Sequence, residues 1–227
     1  MKTITFILLL FISIASYAQS NKYLGNENSN VIFEKSKFMS KIIDVDYSDI
    51  KGSPYLNENF TNSTLILKNH KKIETKLRYN IFNDTFESKQ KGKILTVSKN
   101  KNIKEIIIDG KSYCLISLDN LPSKTIVEKI YDHKLKLYFK HQVSFKKAQI
   151  AKPYIEPKPN RFVTSTPKLY LKTPFNGSLI RINKIKDFTK TFPRSSSKIK
   201  KFIKENRIKI DNKEQLIQLA QYIEEIA

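Results

Sequence analysis

Between Val31 and Gln149 apolar and polar residues alternate, the period-two signature of half-buried strands. Ile73, Thr75, Leu77, Tyr79 and Ile81 fall on one side of a strand, with Glu74, Lys76, Arg78 and Asn80 on the other. Leu135, Leu137, Phe139, Val143 and Phe145 repeat the pattern, opposed by Lys134, Lys136, Lys140, Gln142, Ser144 and Lys146, and predict a long strand at an edge or in a barrel wall. Residues 106–108 and 113–118 are apolar on both faces and flank Asp109-Gly110, a dipeptide that tolerates the positive φ of a type I′ turn, so they predict a central hairpin. Further strands are expected over 31–38, 65–68, 85–88, 93–97 and 126–131. The sum is a mainly β body, an antiparallel meander of roughly eight to ten strands in a sandwich or partly closed barrel.

After residue 150 the pattern changes. Five of the eight prolines lie between Pro153 and Pro174, and a proline-rich run cannot donate a regular ladder, so 151–167 is expected to be an extended connector. Residues 169–171 and 179–182 flank Asn176-Gly177 as a second hairpin, with Pro174 indicating an edge. The period then becomes helical. Ile199, Phe202 and Ile203 form a stripe behind the serines at 195–197, which are candidate N-caps. Asp211 and Glu214 make a capping-box pattern ahead of Leu216, Leu219, Ala220, Ile223 and Ile226. Residues 168–227 are therefore expected to be a hairpin with two or three helices, an α+β extension of the β body at 19–150. No internal repeat points to a solenoid.

The first twenty residues follow a different rule. Lys2, the apolar run from Ile4 to Ile14 and the small residues approaching Ala18 form a secretory signal peptide over 1–18, with the mature chain starting near Gln19. The polar stretch 21–30 is expected to be a flexible start. No cysteine precedes Cys114, so no thiol is placed to carry a lipid anchor, and the single cysteine allows no intramolecular disulfide. No second run of about twenty apolar residues follows. The expectation is an exported chain without a lipid anchor or transmembrane segment, in the periplasm or outside the cell, held together by an ordinary core.

The formal net charge is +21, and arginine supplies only positions 78, 161, 181, 194 and 207, the other basic residues being lysine. Such a surface attracts nucleic acid, acidic glycans and anionic lipid through long-range fields. An excess of Lys, Asn and Ile also follows from AT-rich codons, and specific phosphate recognition favours the arginine fork. Two lysine sets are the candidate polyanion sites. Lys134, Lys136, Lys140 and Lys146 form a comb on the long strand; their alternative role is to prevent edge-to-edge pairing. Lys198, Lys201 and Lys204, with Arg194, Lys200, Arg207 and Lys209, make the penultimate helix basic; their alternative is charge balance by Glu214, Glu224 and Glu225 of the last helix.

Candidate chemistry is sparse. His141 lies in the apolar register of the long strand, where a hydrogen-bonded core histidine is the simpler reading than a base or ligand. His133 and His70 sit at turns. Asp44, Asp46 and Asp49 cluster as calcium loops do, but Asp49 and Tyr55 stand where an EF-hand wants glycine and glutamate. Cys114 lies in an apolar strand, where its thiolate is disfavoured. Phosphate loops, dinucleotide fingerprints and nucleophile elbows are not found among only five glycines. No catalytic residue, metal or cofactor is assigned.

Three stretches, Gly52-Ser-Pro-Tyr-Leu-Asn-Glu-Asn-Phe60, Leu77-Arg-Tyr-Asn-Ile-Phe-Asn-Asp-Thr-Phe-Glu87, and the tail from Phe192-Pro193 through Phe202-Ile-Lys-Glu-Asn206 to Leu216 and Tyr222, resemble an uncharacterised class of small exported proteins common in Bacteroidota. In that class the order is leader, β-rich body, proline connector and helical tail. The resemblance implies a cell-envelope location and brings no activity or ligand with it. The expected function is a non-catalytic envelope role, binding an envelope protein or an anionic glycan or lipid. The alternatives are a secreted hydrolase with a site assembled from distant residues, and extracellular nucleic-acid binding, which the absent tryptophan and few arginines disfavour.

Overall fold

A computed structural model describes residues 33–35, 47–90, 93–99, 102–118, 123–150 and 156–227. The leader at 1–18, the stretch 21–30, most of the strand expected over 31–38, and Asp44 and Asp46 lie outside the described residues. The strands are β1 (Phe33–Lys35), β2 (Thr61–Leu67), β3 (Lys72–Asn80), β4 (Thr85–Gln90), β5 (Lys93–Val97), β6 (Ile103–Ile108), β7 (Lys111–Ile116), β8 (Thr125–Asp132), β9 (Lys136–Lys146), β10 (Arg161–Thr173) and β11 (Asn176–Ile182). All pair antiparallel in one open sheet of order β1-β5-β4-β3-β2-β6-β7-β8-β9-β10-β11. Two meanders, β2–β5 and β6–β11, run in opposite directions from the β2–β6 pairing, and β1 adds to the free edge of β5.

The register lines up Ile73, Leu65, Ile106, Tyr113, Glu128, Phe139, Leu169 and Ile182 in a single row across eight strands. This row explains the core. Leu65, Ile106 and Tyr113 belong to one apolar cluster with Leu77, Tyr79 and Phe86. Phe139, Leu169 and Ile182 belong to a second, roofed by helices α1 (Asp187–Thr191), α2 (Ser196–Glu205) and α3 (Lys213–Ile226). Glu128, the one carboxylate in the row, falls where the two clusters meet.

The helical stripe packs as its spacing requires. Ile199 of α2 and Leu216, Leu219, Ala220 and Ile223 of α3 are fully buried, and Phe202 stacks on Tyr222 with ring centroids 4.1 Å apart. The caps differ from expectation. Ser195 makes no cap; its hydroxyl donates to the Ile226 carbonyl at 3.0 Å and fastens the start of α2 to the end of α3. Asn212, one residue beyond the expected Asp211, caps α3 by accepting from Gln215 N at 2.9 Å, and Gln215 Oε1 in turn accepts from Lys209 N.

The stretch expected as connector is partly strand. Residues 161–165 pair with β9 as the first half of β10, and Pro167 falls within the register shift between Ser165 and Lys168. That half of β10 has no partner from β11, whose pairing starts at Leu169, so the missing proline donor breaks no ladder. The second hairpin turns at Pro174-Phe175 rather than at Asn176-Gly177: Thr173 pairs directly with Asn176, whose N–H donates to Thr173 Oγ1.

A strap over residues 47–56 joins the meanders. Lys51 N donates to Asn160 O and Phe162 N to Lys51 O, while Leu56 N donates to Tyr79 O and Ile81 N to Pro54 O. Gly52 is needed there, because its φ is +80° and a Cβ would lie 2.7 Å from the Phe162 carbonyl oxygen. The strap also covers the side of β3 expected to face solvent. Arg78 lies 3.8 Å over the Tyr55 ring and bonds Glu87, which accepts from the buried Asn80 at 2.8 Å.

Because sheet and helices share a cluster, truncating Leu219 to Ala is expected to cost about 2–5 kcal/mol. Urea unfolding followed by helical circular dichroism and by tyrosine fluorescence should shift together. Separate transitions would mean that the helices are an independent unit.

Candidate functional site

The β9 comb does not survive folding intact. Lys140 turns inward, its side chain only 13% exposed, and bonds both Asp84 Oδ1 and the Tyr79 hydroxyl. The β3–β4 turn, where Asp84 has φ 51°, supplies this partner. Asp84 also accepts from Tyr79 Oη at 2.8 Å, Lys99 Nζ at 2.6 Å, Thr125 Oγ1 at 2.9 Å and Ile126 N at 3.3 Å. Lys136 is paired with Asp132. Lys134 in the β8–β9 turn and Lys146 at the far end of β9 are exposed, and together they make no continuous cationic face. Burial alone would raise the Asp84 carboxyl, but the Lys140 and Lys99 ammoniums outweigh it and hold the group below the usual carboxylate range.

His141 meets a carboxylate. Its Nε2 lies 2.8 Å from Glu128 Oε2, and Lys213, in the first turn of α3, donates to Glu128 Oε1 at 3.1 Å. Burial pushes the Glu128 carboxyl up, yet the His141 and Lys213 hydrogen bonds prevail and lower it. Among the described residues no hydroxyl or thiol bonds His141, so the pair is the orienting half of a nucleophilic triad without its nucleophile. It behaves as the hydrogen-bonded core histidine that its register implies, tying α3 to the sheet across the boundary of the two clusters.

The other chemical candidates are dispersed. Burial pushes the Cys114 thiol up to about 11, which keeps it protonated. His70 is an exposed turn residue with φ 65°. His133 Nδ1 lies 2.5 Å from Glu224, which also accepts from Tyr131 Oη and Leu135 N. Glu224 thus clasps the β8–β9 turn from the last turn of α3. Among the described residues no three His, Cys, Asp or Glu side chains gather as metal ligands, and no helix is long and apolar enough to cross a membrane.

The helical layer carries a dense run of cations. Between Lys184 and Lys209 the sequence has ten basic residues and two acidic ones, and all ten basic side chains are exposed. They include the expected Lys198, Lys201 and Lys204, joined by Lys184, Lys186 and Lys190, which the sequence reading did not single out. Only two ion pairs touch this set among the described residues, Lys190–Asp187 at 3.7 Å and Lys201–Glu205 at 3.9 Å, both within one helix. Among the described residues no carboxylate of the last helix forms an ion pair with α2, and Glu224 bonds the β8–β9 turn instead. Beside this layer, a cavity of about 360 Å³ is lined by Thr173, Phe175, Asn176, Ile180, Asp187, Lys190 and Thr191.

No protein-family model matches the chain, and no curated protein or solved structure shows significant similarity to it.

Asp84 and Glu128 both have depressed folded values, so their contribution to stability is complete above the ordinary carboxylate range near pH 4 and is lost as the pH falls through the folded values. Urea midpoints measured from pH 6 to pH 2 should fall on acidification, and less so in Asp84→Asn. At pH 7 that substitution is expected to cost about 3–5 kcal/mol, because it leaves Lys140 buried without its counter-charge.

Proposed function

We propose that this is an exported, non-catalytic cell-envelope protein of the Bacteroidota-like class described above, which binds an anionic glycan or lipid of the envelope through its helical layer. The observation that carries this reading is the run of ten exposed cations between Lys184 and Lys209, of which only Lys190 and Lys201 are ion-paired among the described residues. A field of that density raises the local concentration of polyanions and holds them through many weak contacts. Its lysine-rich make-up suits point-charge attraction to a phosphate- or carboxylate-bearing surface more than bidentate recognition of one group.

The other classes have less support. A hydrolytic role would build on His141–Glu128, but Lys213 occupies the second carboxylate oxygen and the cavity lies elsewhere. Nucleic-acid binding would want a series of aromatic rings presented beside the cations for successive bases to stack on; Phe202 on α2 is stacked on Tyr222, which leaves Phe175 as a single exposed phenylalanine ring among the described residues.

The test is binding of the chain from Gln19 to lipopolysaccharide, heparin, DNA and a neutral glycan over a salt series. Replacing Lys198, Lys201 and Lys204 by Glu should weaken polyanion binding at about 0.15 M salt by tenfold or more and flatten its salt dependence. Replacing Lys134 and Lys146 by Glu should change it far less. Equal losses from both sets would reduce the attraction to overall charge.

A further inference from the structure

We infer that the β10–β11 hairpin tip is a wedge for an anionic lipid bilayer, with Phe175 entering the headgroup region while Lys172, Lys186 and Lys190 meet lipid phosphates. The inference rests on the polyanion reading above and names lipid as its target.

Three observations converge on this tip. Phe175 is 78% exposed, and the other large apolar side chains that are exposed among the described residues are Ile150 at 87% and Val163 at 38%. Neither is near it along the hairpin: Ile150 follows the far end of β9, and Val163 lies in the half of β10 away from the turn. The ring is presented by a firm scaffold. Thr173 Oγ1 accepts from Asn176 N at 3.2 Å and Asn176 Oδ1 accepts from Ser178 N at 3.0 Å, so both flanks of the Pro174-Phe175 turn are pinned. A pre-ordered aromatic loses little conformational freedom when it is buried by a partner.

The charge around the tip is predominantly positive. From Pro157 to Lys186 the chain contains no Asp or Glu, and within that span Lys172, Arg181, Lys184 and Lys186 are exposed. The next carboxylate, Asp187, accepts from Asn183 N and Lys184 N, and its lysine neighbour Lys190 remains 74% exposed at 3.7 Å. Phe175, Ile180 and Lys190 border the same cavity, so apolar surface and cation are contiguous where the hairpin meets α1. An aromatic tip beside exposed cations, with one nearby carboxylate, Asp187, that is already held by two backbone amides and by Lys190, complements an interface in which acyl chains lie beneath phosphates. An acidic glycan would meet the lysines and cover at most one face of the ring with a sugar, whereas a bilayer buries the whole ring.

The chain has no tryptophan, so Phe175→Trp places a single reporter at the tip. With phosphatidylglycerol vesicles its emission should shift to the blue and be quenched by brominated lipid, with neither effect in phosphatidylcholine vesicles. Phe175→Ser should lower partitioning into phosphatidylglycerol vesicles about tenfold while leaving heparin binding and the circular dichroism spectrum unchanged. Unmoved tryptophan emission, or vesicle binding indifferent to Phe175→Ser, with heparin binding intact, overturns the wedge and leaves the polyanion reading in place. If the unaltered chain binds neither heparin nor anionic vesicles, both readings fall.

Discussion

The five donors gathered on Asp84 hold this fold in shape. An open sheet has no geometric closure to fix its curl, so something must bind one meander to the other. The Asp84 carboxylate does so from a turn of the first meander, taking Lys99 beyond β5, Thr125 and the Ile126 amide of β8, and Lys140 of β9. Burying a carboxylate is tolerable only when charge and hydrogen bonds replace its water. With its lysines and amide in place, the group becomes a specific fastening that an apolar contact, having no direction, would not supply.

The second meander is organised by the same economy of carboxylates. Helix α3 is fastened at both ends, by Lys213 on Glu128 at its start and by Glu224 on the β8–β9 turn at its end. Between those points its apolar face completes the core over β8–β11. Acidic side chains are half as numerous as basic ones, and several of them are committed to such internal ties. Glu224 is one of them, and its tie to the β8–β9 turn withholds a carboxylate from the cations of the helical layer, which face solvent.

Much of the architecture is readable from local pattern. Residues 93–97 are the strand their alternation implies, the long run around 135–146 becomes β9, and Asp109-Gly110 takes φ values of 50° and 69° at its turn. What lies over a strand is not readable. Alternation assigned Lys140 and Asn80 to the polar side correctly, but nothing local says that the β3–β4 turn and the strap 47–56 cover those positions and make them internal partners. The hairpin tip misled for a related reason: Asn176-Gly177 has the stronger turn propensity, yet Pro174 and the Thr173 hydroxyl set the turn two residues earlier and put Phe175 at its apex. The basic helical layer was legible as composition; its lack of counter-ions depends on where Glu224 goes, a contact spanning 91 residues to His133.

That long span also bears on how the chain reaches its native state. Tyr131 and Glu224 are separated by 93 positions, and β8 and β9 bury their apolar face against a helix made long after them. The second meander therefore cannot finish folding while α3 is still being synthesised or threaded, and contacts of such separation are slow to close. Docking of α3 therefore acts as a closing step: the apolar face of β8–β11 reaches its native packing only when that helix is in place.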